Sequence, residues 1–111
     1  MREGQKRRKN LAHAALVLAA LTQAANAEPA TREQQLERLV RQDCGSCHGM
    51  TLKGGLGPAL LSERLSAAEP QAVAAIILDG VPGTPMPPWR GLITDDDALW
   101  IAHYLRKETH P

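Results

Sequence analysis

The sequence predicts an all-α fold of three or more short helices wrapped with long loops. Three observations predict it. Apolar residues recur at helical spacing in stretches that begin near Arg32, Pro70 and Asp95. Glycine and proline crowd the stretches between them. No run alternates apolar and polar residues with period two, and no segment repeats.

The chain opens with MREGQKRRKN, which holds five basic residues and one acid. The mostly apolar LAHAALVLAALTQAA follows, and then the small-x-small pattern Ala25-Asn26-Ala27. This order is that of a secretory signal peptide, residues 1–27, cut before Glu28. His13, Thr22 and Gln23 interrupt the apolar run, so it suits a membrane span poorly. An uncleaved anchor is the alternative. Lys9-Asn10-Leu11 after Arg7-Arg8 matches a twin-arginine signal poorly, which favours the general secretory route.

Residues 28–111 form a single candidate domain of 84 residues. It carries eight Lys or Arg against eleven Asp or Glu, a formal charge of −3, whereas the full chain is +1. No basic patch for nucleic acid remains. Its aromatic residues are Trp89, Trp100 and Tyr104, with no Phe. So thin a core needs a metal or a large apolar cofactor to fold around. A disulfide between Cys44 and Cys47 closes too small a loop to help.

The first helix runs from about Arg32 to Asp43. Thr31-Arg32-Glu33-Gln34 fits a capping box, and Leu36, Leu39 and Val40 form the apolar stripe. Residues 49–61 are a glycine-rich loop. The second helix runs from about Pro70 to Asp79, with Ser66-Ala67-Ala68-Glu69 as its capping box and Gly80 at its C′ position. VPGTPMPPW, residues 81–89, holds four prolines and predicts an extended, stiff segment. Thr94 caps the last helix, Asp95, Asp96 and Asp97 fill its first turn, and Arg106 and Lys107 close it. Its apolar face gathers Trp100, Ile101, Ala102, Tyr104 and Leu105, with His103 and Arg106 opposite.

The chemistry centres on CGSCHG, residues 44–49. Cys-x-x-Cys-His is the attachment signature of c-type haem. Each thiol adds across one of two neighbouring vinyl groups, and two intervening residues let one turn of backbone reach both. His48 then offers its imidazole to the iron. A structural zinc site needs four ligands, and Cys44, Cys47 and His48 give at most three. A redox disulfide of the thioredoxin kind needs a strand before it, and none is predicted.

Iron needs a second axial ligand, and the mature chain offers Met50, Met86, His103 and His110. Met50 is held on the His48 side of the ring by its position two residues away. His103 falls on the polar face. Met86 sits between Pro85 and Pro87, which limit the entropy it loses on binding. His48 and Met86 are therefore the expected metal ligands. Pro58 is the expected carbonyl acceptor for the His48 ring proton. Trp89 is expected either to reach a haem propionate or to pack. Arg90 and Lys53 are candidates for neutralising propionates, with an ordinary solvated charge as the alternative.

CGSCHG at 44–49, GLGPAL at 56–61, GTPMPPW at 83–89 and Tyr104-Leu105 together resemble class I cytochrome c. The resemblance implies first and last helices that cross near the attachment site, one covalently bound haem c, Pro58 as acceptor and Met86 as distal ligand. CGSCHGMTLKGGLGPAL with GVPGTPMPPW further resembles the small monohaem cytochromes encoded beside the haem-cd nitrite reductase of denitrifying bacteria. That implies a periplasmic protein that exchanges electrons; a monomeric carrier without substrate turnover of its own, not inserted in a membrane once its signal is cleaved, is expected. Its partner would be that reductase or an enzyme that matures its d-type haem. Mitochondrial-type members carry many lysines round the haem edge, but the mature chain here has only Lys53 and Lys107. Contact through Leu52, Leu56 and other apolar residues is expected instead.

Overall fold

A computed structural model describes residues 28–107 of the chain. The proposed signal peptide and His110 lie outside these residues. The chain divides into two units between Ala30 and Thr31. The second holds every element named below, and all of them are helical: α1 (Arg32–Leu39), a π-helical turn (Val40–Cys44), α2 (Gly45–His48), α3 (Ser62–Leu65), α4 (Pro70–Asp79) and α5 (Asp95–Leu105). Among the described residues the sole β pairing is an isolated bridge between Arg90 and Ile93.

The capping box at Thr31 forms as expected, with the Thr31 hydroxyl accepting from the Gln34 amide and the Gln34 side chain accepting from the Thr31 amide. The helix it starts does not stop at Asp43. It passes through the π turn, where the Gly45 amide donates to the Val40 carbonyl five residues back, and continues to His48. A π turn absorbs one extra residue without advancing the helix face. In a plain α-helix, Leu36 and His48 would stand about 120° apart around the axis; with one residue absorbed they stand about 20° apart. The turn thus puts the core stripe and the attachment motif on one face.

The second helix has the expected bounds, but its start differs. Glu69 is the N-cap and makes no side-chain cap bond. Pro70 at the first position has no N–H to satisfy, which lessens the need for one. Ser66 instead ends α3, a short helix that periodicity did not reveal, and its hydroxyl donates to the Glu63 carbonyl. In α5 the capping box is Thr94 with Asp97. Arg106 is not on the solvent side as expected: it is half-buried and donates to the Ser66 carbonyl at 3.0 Å.

Leu36 and Val40 of the first helical run, Val73, Ala74, Ile77 and Leu78 of α4, and Ala98, Ile101, Ala102 and Leu105 of α5 form the core. Both α1 and α4 contact α5. Arg32 and Asp97 tie α1 to α5 with a two-pronged ion pair, its Nε bond 2.9 Å long. That bond and the Thr94 amide hold the Asp97 carboxyl well below the usual carboxylate range. Leu52 lies in the core at 5% exposure, so it is not available for docking as expected; Leu56 is, at 77%.

Candidate haem-binding site

Cys44, Cys47 and His48 stand at the end of the first helical run and line one wall of a cavity of about 780 Å³. Both cysteines are half-buried and unpaired. Burial, with the neighbouring Asp43 charge adding to it, pushes the Cys44 thiol up to about 11. It is therefore a neutral, apolar group at ordinary pH.

The helix end leaves carbonyls without partners in the helix, and the glycine-rich loop supplies them. The Gly54 amide donates to the His48 carbonyl and the Gly57 amide to the Cys47 carbonyl, each at 2.8 Å. This folds residues 54–58 back over the imidazole. The His48 Nδ1 then lies 2.7 Å from the Pro58 carbonyl. A carbonyl can only accept, so Nδ1 is the donor, and in the neutral ring that leaves Nε2 with the lone pair a metal needs. A Cβ on Gly57 would stand 2.8 Å from Nδ1 and Cε1 of the same ring, so only glycine lets the loop approach this closely.

Met86 reaches the same cavity from the loop after α4. Gly80, at φ 66°, makes the turn, and a Cβ there would stand 2.7 Å from the Met86 carbonyl oxygen. The prolines predict an extended segment, but the loop folds back on itself. Thr84 turns back onto the Val81 carbonyl, and the Val81 amide donates to the Met86 carbonyl at 3.2 Å. The Trp89 amide, at 3.0 Å from the Leu78 carbonyl, fastens the far end of the loop to α4. The Trp89 side chain is half-buried, packs on the core and lines the cavity.

The remaining candidates are placed elsewhere. Met50 and His103 are exposed and do not line the cavity. Nor does Lys53 or Arg90. Arg90 instead pairs with Asp79 and Asp95, at 2.8 and 3.3 Å. The lining arginine is Arg64 of α3, which sequence reasoning missed because a four-residue helix has no period to read. Leu39, Leu60, Leu65, Val73 and Ile77 make the rest of the wall largely apolar. Two thiols, one imidazole with a free Nε2 and one thioether around an apolar hollow suit a porphyrin and its iron.

Residues 31–105 match the family described as cytochrome C oxidase, cbb3-type, subunit III. The chain belongs to this family of c-type cytochromes. The cytochrome is 51% identical over 92 residues to cytochrome c55X of Paracoccus denitrificans (strain Pd 1222), covering 83% of this chain and 89% of that one. It is similar to the solved structure of the c-type cytochrome NirC, with a TM-score of 0.65 and 52% identity, covering 70% of this chain and 93% of that one. A third relative is the dihydro-heme d1 dehydrogenase of Pseudomonas aeruginosa (strain PAO1), 40% identical over 81% of this chain but only 17% of its own length. The class I resemblance and the all-α fold hold. The cofactor of the cytochrome is haem c, attached covalently through Cys44 and Cys47.

Proposed function

We propose that the protein is an exported, periplasmic one-electron carrier of denitrification, with no substrate turnover of its own and with His48 and Met86 as the axial ligands of its iron. The supporting observation is that a thioether and an Nδ1-protonated imidazole, carried on different elements, line one apolar cavity together with both attachment thiols. Bound haem supplies one-electron exchange at the iron. The chain supplies the rest. Pro58 orients the His48 ring, and Met86 adds a soft, uncharged donor that favours ferrous iron and raises the reduction potential. The apolar wall excludes water, and Trp89 completes it.

Replacing Met86→Ala is expected to lower the potential, remove the weak far-red band of ferric iron–thioether ligation and open the iron to imidazole. An unchanged spectrum and potential would show that another residue binds. Export is checked by N-terminal sequencing of protein recovered from the periplasm, which should begin at Glu28. Among the described residues no helix is long and apolar enough to cross a membrane.

The proposed partner is the haem-cd nitrite reductase. A second reading, electron exchange with an enzyme that matures the d-type haem, is favoured by the likeness to a stretch of the dihydro-heme d1 dehydrogenase. Rates of electron transfer to purified nitrite reductase and to a maturation enzyme separate the two. A carrier for the reductase is refuted if only the second is reduced.

A further inference from the structure

The prolines around Met86 restrict its backbone, but they bring no N–H with which to hold it in place. Of Pro85, Met86, Pro87 and Pro88, only Met86 has a backbone N–H. That single donor meets the Thr84 hydroxyl at 3.3 Å. The same hydroxyl donates to the Val81 carbonyl at 2.7 Å. The Thr84 amide meets that carbonyl too, at 3.1 Å, and the Val81 amide closes the ring on the Met86 carbonyl at 3.2 Å. Both polar backbone groups of Met86 are thereby fixed, one of them by a side chain. Val81, Thr84 and Met86 all lie on the cavity wall.

We propose that Thr84 is a positioning residue for the distal ligand: its hydroxyl holds the Met86 backbone so that the thioether resists displacement from the iron. The inference rests on Met86 being that ligand. Threonine suits the task because one hydroxyl both donates and accepts. Valine keeps the shape and loses both bonds. Serine keeps both bonds and loses a methyl group.

The test uses the mature, haem-loaded protein in its ferric form, titrated with imidazole, with the far-red band followed alongside. Thr84→Val should bind imidazole about tenfold more tightly than the parent, the effect of about one net hydrogen bond. Its far-red band should weaken. Thr84→Ser should stay within about threefold of the parent and keep the band. Equal imidazole affinity in the parent and the valine variant, with Met86→Ala binding tightly, would overturn the role of Thr84 and leave Met86 as ligand. Loosening by valine and serine alike would assign the effect to methyl packing and also overturn it. A Met86→Ala protein indistinguishable from the parent would remove the ligand reading itself. If the valine variant does not mature, Thr84→Ala against Thr84→Ser makes the same comparison.

Discussion

A methyl group at position 57 would press on two atoms of the His48 imidazole from 2.8 Å. The loop cannot retreat freely, because the Gly57 amide is bonded to the Cys47 carbonyl and the next residue, Pro58, accepts the ring proton. Gly57→Ala is therefore expected to tilt the imidazole and destabilise the holoprotein by about 1–3 kcal/mol, the usual range for overpacking. Chemical denaturation followed at the haem absorbance checks the size. A parent-like midpoint would show that the loop yields without strain. The residue-level chemistry of this wall was largely legible in the sequence, since the attachment motif and the G-P-x-L stretch both carry fixed spacings. Thr84 was not legible: its value lies in a loop closure onto Val81 that no pattern of residue types announces.

At the scale of elements, helix caps give the cleanest test. Thr94 accepts from the Asp97 amide while the Asp97 carboxylate accepts from the Thr94 amide. Thr94→Ala removes one half of this exchange and should cost about 1 kcal/mol of stability, measured by urea unfolding at neutral pH. No change in midpoint would mean that water replaces the hydroxyl fully. The helices that start on such signals were legible, and α4 has the bounds its proline and glycine suggest. The π turn was not, because it keeps helical dihedrals and breaks only the bonding register. The helix α3 was hidden by its length, and the false capping box at Ser66 arose from it: a serine that ends one helix and precedes another by four residues reads like a start.

For the whole molecule, two terms decide whether the chain folds. The first is the cofactor. A cavity of about 780 Å³ lies beside a core with few aromatic side chains, and without haem its wall has no packing partners on one side. A Cys44→Ser, Cys47→Ser double variant made without haem is expected to be mostly unfolded by circular dichroism; a cooperative melt matching the holoprotein would contradict this. The second is the pairing of α1 with α5 through Arg32 and Asp97. The Asp97 carboxyl is depressed in the folded state, so its contribution is complete above the unfolded value of about 3.9 and fades as pH falls below it. Arg32 is about half exposed, at 54% of its side chain, which keeps the effect modest. Asp97→Asn should melt below the parent at pH 7, and the gap should narrow as the pH is lowered past 4. A gap that is constant with pH would assign the loss to packing alone.

The π-helical turn bears on how related chains are compared. A protein one residue shorter between its first core leucine and its attachment cysteines can run as plain α-helix there and still show both to the same side. A single-residue alignment gap between Leu36 and Cys44 is then expected to mark a change of helix winding, with the attachment motif still turned to the core side.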